Sequence, residues 1–131
     1  ETLISEVLQQ YGYDTYYMGK WDSGPAAPHT PIDRGYNESL SFAVGASLYH
    51  KDGHPDLING YGDKFDDFLR LVCRFYVSHN NGAKFEPDKY MTDYLSEQAS
   101  NLIRSRTSTS TAGSTRVDPF FLTLAYNAPH N

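Results

Sequence analysis

The chain opens with a pattern of apolar and polar positions that is typical of an amphipathic helix. Over residues 2–11 the apolar side chains recur at helical spacing, which predicts one apolar face. Thr2 is a reasonable N-cap, and Glu6 lies near the positive end of the helix dipole. Gly12 follows the last apolar position, where a left-handed residue commonly ends a helix. The predicted apolar face consists of Leu3, Val7 and Leu8, with Ile4 and Tyr11 beside them.

A strand-forming segment follows the helix and stops at a lysine. Residues 13–18 are rich in tyrosine and threonine, which favour β-structure, and Gly19 ends the segment. Lys20 and Trp21 would then project from the carboxyl end of the strand. Ligands bind at that end of the strands in open α/β sheets, so these positions are the first candidates for a functional site.

The middle of the chain gives weaker signals. Three prolines within residues 25–31 exclude a helix and predict a loop. Gly35 supplies a permissive backbone position for a turn over residues 33–36. Residues 40–48 are apolar and predict a strand or a buried loop. The apolar positions within residues 65–77 fit the helical and the strand period equally well, so both alternatives stay open.

A turn and a second helix follow. Residues 78–84 predict a turn, with Asn81-Gly82 as a possible hairpin tip. Thr92 or Asp93 is a suitable cap for the helix, and the basic residues of its last turn suit its C-terminus. The apolar face of this helix consists of Leu95, Ala99, Leu102 and Ile103.

The last predicted strand is the most apolar segment of the chain. Residues 105–115 consist mainly of Ser, Thr, Gly and Ala, which predicts a flexible surface connection. Residues 120–125 form a near-continuous apolar run, which is typical of a central strand covered on both faces. The alternation of strand, helix and strand predicts an α/β fold, part of a mixed central sheet sandwiched between helices.

Composition and charge add no element to this picture, but they exclude several classes of protein. The 131 residues are 39% hydrophobic and 15% aromatic, a globular composition with length enough for one domain. A formal net charge of -5 argues against a general nucleic-acid binder. The chain contains no apolar run of about 18 residues, so we predict no membrane span. A signal peptide is not seen, but the first residue is Glu1 and not Met, and we expect the chain to be an internal fragment of a longer enzyme.

Several other side chains are candidates for chemistry. His50 and His54 stand four residues apart, a spacing that suggests a metal site only on a helix. The intervening glycine and the following proline favour a loop, so His50 is retained as a substrate-binding candidate and not as a metal ligand. His29 is either a contact at the rim of the site or an idle loop histidine. Asn37 begins an Asn-x-Ser sequence and is a possible glycan acceptor if the protein is secreted.

Four segments are informative as a set. They are Gly-Tyr-x-Thr followed by a strand and Gly19-Lys20-Trp21, Pro31 to Tyr36 as Pro-x-x-x-Gly-Tyr, Tyr90 to Leu95 as Tyr-x-Thr-Asp-x-Leu, and the strand and loop from Asp118 to Pro129-His130. In this order, and covering most of the chain, they resemble the sulfatase family and within it the arylsulfatase branch.

The resemblance implies a sulfuric ester hydrolase that converts a small-molecule or glycan sulfate ester to an alcohol or phenol and sulfate. Lys20 and His130 match family positions that contact the sulfate group. Lys20 offers a compact cation with three donors, and His130 can donate to the sulfate or transfer a proton to the departing oxygen. Trp21 is expected to pack beneath the site. Family habit also implies secretion or an endomembrane or lysosomal lumen.

The resemblance further implies parts that this chain does not carry. The family converts a Cys or Ser in Cys/Ser-x-Pro-x-Arg to formylglycine, and the residues after Cys73 lack both the Pro and the Arg. Cys73 is therefore interpreted as an inert core thiol. The nucleophile and the paired aspartates that hold a divalent cation, usually calcium, would lie upstream of Glu1, so we expect no metal ligand in this chain.

Asp22 departs from the family pattern, which places histidine at this position. A carboxylate beside bound sulfate repels it unless the carboxylate is protonated, paired with a cation or turned away. Three explanations stay open for Asp22: a base role, an altered substrate preference or an inactive relative. Two other functions also stay open: a phosphodiesterase or phosphonate hydrolase of the same superfamily, and a non-catalytic protein that binds sulfated glycans.

Overall fold

A computed structural model describes residues 1–43, 49–51, 54–55, 75–107 and 119–129. These residues build a mixed sheet of five strands with a helix packed on each face. The α/β class predicted from the sequence is thus confirmed. In chain order the elements are α1 (Ile4–Gln10), β1 (Asp14–Trp21), a 3-10 turn (Ile32–Arg34), β2 (Glu38–Ala43), β3 (Val77–His79), β4 (Lys84–Phe85), α2 (Met91–Thr107) and β5 (Phe120–Ala125).

Strand β1 is the centre of the parallel part of the sheet. The strand order is β4-β3-β2-β1-β5, and β1 pairs in parallel with both β2 and β5. Strands β3 and β4 extend the sheet in antiparallel fashion beyond β2. Because parallel strands share a direction, the carboxyl ends of β1, β2 and β5 lie along one edge of the sheet.

The side chains of β1 alternate between two apolar clusters. On the α2 face, Met18 packs against a buried cluster that includes Phe42 and Leu95. On the opposite face, Tyr17 and Trp21 pack with Tyr36, and residues next to α1 and β5 cover this second cluster. The core members of the α2 face are Leu40, Phe42, Phe75, Val77, Met91 and Leu95.

Helix α1 begins one residue later than the predicted cap. The N-cap is Leu3, whose backbone N–H donates to Glu6 Oε2 at 2.8 Å, and not Thr2. Glu6 also pairs with Arg34 at 3.0 Å. The Glu6 carboxylate accepts the Leu3 N–H and complements the helix dipole. The start of α1 therefore needs no capping hydroxyl. The predicted end is confirmed, since Gly12 has a φ of 80°.

Helix α2 packs on the sheet along its first three turns. Of the predicted apolar face, Leu95 and Ala99 are buried but Ile103 is 43% exposed. Steps of four residues on a helix rotate by roughly 40° each, so a residue three steps beyond Met91 has turned away from the sheet. The helix also extends to Thr107, so the predicted surface connection cannot begin at Ser105.

The buried residues of this helix are Met91, Leu95 and Ala99.

The antiparallel hairpin turns one residue earlier than predicted. Asn80 and Asn81 occupy its two central positions with φ values of 48° and 60°. Gly82 closes the turn by donating its N–H to the His79 carbonyl at 2.8 Å. Paired positive φ angles are the geometry that a two-residue hairpin favours, and asparagine tolerates them. The predicted tip at Asn81-Gly82 is therefore wrong by one position.

Strand β5 has the predicted bounds but not the predicted burial. All six residues of Phe120–Ala125 are half-buried, and β1 is the neighbour of β5 in the strand order of the described residues. A strand at the edge of a sheet leaves one row of backbone groups and part of its side chains uncovered. The expectation that β5 is covered on both faces is thus not met by the part of the chain that the structure describes.

Several predictions lie outside the described residues. These are the strand or loop beyond Ala43, the ambiguous segment before Phe75 with Cys73, the connection after Thr107 and the loop end at His130. Where the chain is described, β2 confirms a strand at the start of residues 40–48, and β3 begins at Val77. None of the described helices is long and apolar enough to cross a membrane.

Candidate functional site

Lys20 is the second-last residue of β1 and pairs with Phe42 of β2. The strand therefore continues two residues past Gly19, where the sequence predicted its end, because β2 supplies partners for both Lys20 and Trp21. The lysine lies on the α2 face, two residues beyond Met18. Its side chain is only 18% exposed, so the cation stands at the sheet edge with limited access to water.

Asp22 faces Lys20 across a short gap. The distance from Lys20 Nζ to Asp22 Oδ2 is 3.5 Å, and the Asp22 side chain is 60% exposed. A carboxylate can lie near a bound anion if it is protonated, paired with a cation or turned away. The structure shows Asp22 paired with the Lys20 cation. The site is a half-shielded ammonium group with a carboxylate on its open side.

Tyr17 fixes the backbone of Lys20 from the opposite face of β1. Its hydroxyl donates to the Lys20 carbonyl oxygen. Burial first, and then Tyr36 and Asp22, raise the pKa of Tyr17 to about 12. The phenol therefore remains a protonated donor, and its bond holds the end of the strand in one conformation.

Trp21 lies beneath the site, as the sequence analysis predicted. It is 7% exposed and packs edge-on against Tyr17, with ring centroids 4.9 Å apart. Its Nε1–H donates to the His29 carbonyl at 2.7 Å. The indole therefore ties the proline-rich loop to the end of β1. The exposed His29 takes part in this tie through its backbone.

Gly19 allows β5 to approach β1 closely. Its φ is 112°, and a Cβ atom there would lie 1.8 Å from the Ala125 carbonyl oxygen. Gly19 pairs with Ala125 in the parallel register, so the segment after β5 begins beside Lys20. Tyr126 in that segment contacts α2, since its hydroxyl lies 2.8 Å from Ser96 Oγ. His130 follows four residues later and lies outside the described residues.

His50 belongs to an aromatic cluster at the same edge of the sheet. Its ring lies 4.9 Å from the Tyr90 ring and stacks on His54 at 4.0 Å with an interplanar angle of 5°. Tyr49 links the cluster to the sheet, because its hydroxyl donates to the Asn127 carbonyl at 3.4 Å and its own carbonyl accepts the Met91 N–H at 2.9 Å. The structure thus places His50 near the segment that follows β5.

The sequence analysis assigned no role to Tyr49 and Tyr90. Their rings stack with centroids 5.9 Å apart, and the Tyr90 ring also contacts the His50 ring. The available signal was that Tyr90 opens the Tyr-x-Thr-Asp segment, which marked a helix entry but not a site. The partner Tyr49 lies 41 positions earlier in the chain, and no local pattern joins the two.

Asn37 has a structural contact at the other end of β1. Its side-chain oxygen accepts hydrogen bonds from the Thr15 N–H at 2.9 Å and the Thr15 hydroxyl at 2.8 Å. These bonds join the start of β2 to the start of β1. The residue is exposed, and its role as a glycan acceptor stays a prediction.

The described residues bring together no group of three or more His, Cys, Asp or Glu side chains that could hold a metal ion. They therefore supply no set of donors that fits calcium, which prefers six to eight oxygen ligands. Calcium stays an expectation based on resemblance, and no chemical step is derived through it.

The fold is that of an α/β protein with a half-buried lysine at the carboxyl end of a central parallel strand, and comparison with known families makes this class specific. The sequence model of the family described as Sulfatase matches residues 1–131. The chain therefore belongs to the sulfatase family.

Individual relatives agree with this membership. The chain is 25% identical over 130 residues to an arylsulfatase of Klebsiella aerogenes, and 27% identical over 137 residues to the uncharacterized sulfatase YdeN of Escherichia coli. It covers 24% and 22% of their lengths, with 99% of this chain aligned in each case. The chain thus spans about a quarter of the length of the curated relatives it matches.

A solved structure shows the same fold. The chain superposes on the crystal structure of Ps i-CgsB in complex with k-i-k-neocarrahexaose with a TM-score of 0.69 and 30% sequence identity. The match covers 98% of this chain and 26% of that one. The structure of Ps i-CgsB alone gives the same values.

Proposed function

We propose that the protein carrying this chain is a sulfuric ester hydrolase of the arylsulfatase type, with Lys20 as a ligand of the sulfate group. The observation that carries the proposal is the position of Lys20, 18% exposed at the carboxyl end of β1, in a chain that matches the Sulfatase family along its whole length. Membership of the family supports sulfate ester chemistry in general. The assignment of the residue is our own.

Lys20 suits the recognition of a sulfate oxygen. An ammonium group is a compact charge with three donors, and it can follow an anionic oxygen whose charge changes during ester cleavage. The limited exposure of Lys20 strengthens this attraction, because less water screens the two charges. The bond from Tyr17 and the packing of Trp21 support the strand that carries the lysine, so little reordering is needed when an anion binds.

His130 is proposed as the second catalytic group. It lies outside the described residues, and the segment that precedes it begins beside Lys20, because Gly19 pairs with Ala125. A histidine at this edge would donate to the sulfate or protonate the departing alkoxide or phenoxide. Lys20 and His130 would then bind the sulfate and assist the leaving oxygen, respectively.

We infer that the leaving group is a phenol or a sugar alcohol. A curated relative is an arylsulfatase, and the solved relative binds k-i-k-neocarrahexaose. The aromatic cluster of Tyr49, His50, His54 and Tyr90 offers ring faces near the edge that carries Lys20. Aromatic faces pack well against aryl groups and against the apolar faces of sugars. His50 is therefore proposed to contact the leaving group.

The experiment that tests the proposal measures release of sulfate from para-nitrophenyl sulfate by the full-length protein. Lys20→Ala should lower kcat/KM by at least about tenfold, because it removes a charge that binds the reacting group. Lys84→Ala is the matched control. Lys84 belongs to β4, three strands away from β1 in the sheet, and its ammonium group lies 4.1 Å from the centroid of the Tyr76 ring. Equal turnover by the Lys20→Ala protein and the wild type would sink the assignment of Lys20.

A further inference from the structure

The described part of the proposed sulfate site pairs its cation, Lys20, with a carboxylate, Asp22. Lys20 Nζ and Asp22 Oδ2 are 3.5 Å apart, and the carboxylate is the more exposed partner at 60% against 18%. The lysine is thus held by the strand and the carboxylate lies on the solvent side of it. An anion that reaches Lys20 from solvent therefore meets the negative charge of Asp22 at close range.

The distance between the two charges limits how far Asp22 can be from a bound ester. An oxygen that accepts a charge-assisted hydrogen bond from Lys20 Nζ lies about 2.8 Å from it. In the described conformation that oxygen is then no more than roughly 6.5 Å from Asp22 Oδ2. This separation is shorter than the Debye length at physiological ionic strength. Salt therefore screens only part of the repulsion between Asp22 and each additional negative charge on the ester.

We propose that Asp22 lowers the affinity of this site for dianionic esters relative to monoanionic ones. The inference rests on the proposed function and concerns the charge of the ester that the same site accepts: Asp22 penalises dianionic phosphate monoesters more than sulfate monoesters and other monoanionic esters. Lys20 attracts both classes, and the dianion the more strongly. Asp22 offsets part of that additional attraction, because its repulsion also grows with the charge of the ligand.

The size of the discrimination follows from the geometry. Two unit charges roughly 6 Å apart interact weakly in water and several times more strongly near a protein surface. Because Asp22 is largely exposed, we take the weak end of this range, which corresponds to about a three- to tenfold change in affinity for one additional charge. Removing the charge of Asp22 should therefore improve binding of a dianion by about that factor relative to a monoanion.

Isothermal titration calorimetry with phenyl phosphate and methyl phenyl phosphate tests the inference on the full-length protein. At about pH 8 the first ligand is a dianion, since the second pKa of a phosphate monoester is about 6, and the second ligand is a monoanion. Asp22→Asn should lower Kd for phenyl phosphate about three- to tenfold relative to Kd for methyl phenyl phosphate. The gain should shrink in about 1 M NaCl, where the Debye length falls to about 3 Å.

Glu38→Gln is the matched control. Glu38 is 55% exposed and lies 3.8 Å from His79, at the opposite end of β2 from the proposed site. This variant removes the same charge from the protein, so it should leave the ratio of the two Kd values unchanged. A ratio that changes equally in both variants would show an effect of net charge and would overturn the role of Asp22.

The remaining outcomes separate this inference from the proposed function. Equal changes of both Kd values in Asp22→Asn, or no binding of either ligand to any variant, would overturn charge selection by Asp22. Sulfate release by the wild type is measured in parallel with para-nitrophenyl sulfate. Its absence, together with the predicted change in the Kd ratio, would reject the hydrolase and retain a binding site in which Asp22 disfavours dianions.

Discussion

Gly19 shows at the scale of a residue why one position near the end of β1 tolerates no side chain. A Cβ atom at this position would lie 1.8 Å from the Ala125 carbonyl oxygen, which belongs to the backbone of the paired strand. We predict that Gly19→Ala lowers the free energy of unfolding by about 3 kcal/mol or more, because either the φ of 112° or the β1–β5 pairing must change. Urea unfolding of the full-length protein measures this loss.

Gly12 provides the control for this prediction. Its φ is 80°, but a Cβ atom there would meet no other atom within 4 Å. Gly12→Ala should therefore cost only about 1 to 2 kcal/mol, the ordinary penalty for a left-handed residue with a side chain. If the two variants lost equal stability, the close approach of β5 would not be the reason for glycine at position 19.

At the scale of single residues, the sequence predicted the position of Lys20 better than its surroundings. Lys20 was selected from a strand followed by Gly-Lys-Trp, and the structure does place it at the carboxyl end of β1. Lys20 and Asp22 stand only two positions apart in the sequence, so their pairing is a local feature. The continuation of β1 past Gly19 depends on its pairing with β2, which no local pattern reveals. The Tyr49–Tyr90 stack escaped prediction for the same reason.

At the scale of an element, helix α1 has a first turn whose stability depends on pH. The Leu3 N–H above all, and then Arg34, hold the pKa of Glu6 below its ordinary value of 4.5 against the opposing effect of desolvation. A carboxyl group with a lowered pKa stabilises the fold above its unfolded value, and this contribution is lost as the pH falls through the folded value. The sensitive window therefore lies below about pH 4.5.

Glu6→Gln tests this dependence. The amide can still accept a bond from the Leu3 N–H, but it carries no charge for Arg34 at 3.0 Å. We predict that the wild type is more stable than the variant near neutral pH and that this difference disappears as the pH falls below about 4.5. Urea midpoints measured between about pH 7 and pH 2 provide the comparison, and a constant difference across that range would contradict the role of the Glu6 charge.

The ends of the elements were predicted less well than the elements themselves. The pattern identified both helices, β1 and β5, because hydrophobic periodicity is a local signal. It did not identify the buried face of α1, since Ile4, Val7 and Tyr11 are 63%, 39% and 78% exposed. Strand β1 runs past Gly19 because β2 continues beside it, and α2 runs past Ser105 although the composition changes there. The hairpin turns at Asn80-Asn81, where both φ angles are positive and the Gly82 N–H donates to the His79 carbonyl, and Asn-Gly was only the stronger of two adjacent turn signals.

At the scale of the whole molecule, the chain covers 24% and 22% of the lengths of its curated relatives. The burial of β5 is the feature that we relate to this partial coverage. Its six residues are half-buried, although their sequence is that of a strand covered on both faces. The sequence therefore predicted an environment that the described residues only partly supply. We expect the additional length of a family member to cover this strand.

This expectation gives a test on the 131-residue chain and the full-length protein. Because β5 exposes apolar side chains at one edge of the sheet, the 131-residue chain alone should bind the dye ANS and melt without a sharp transition. The full-length protein should bind little dye and unfold cooperatively, since burial of β5 would remove the exposed apolar surface. The comparison is matched, because the same residues are measured in two contexts. A cooperative melt and weak dye binding by the 131-residue chain would contradict the expectation, and would mean that β1, β2 and the two helices supply enough buried surface for this sheet to stand with β5 at its edge.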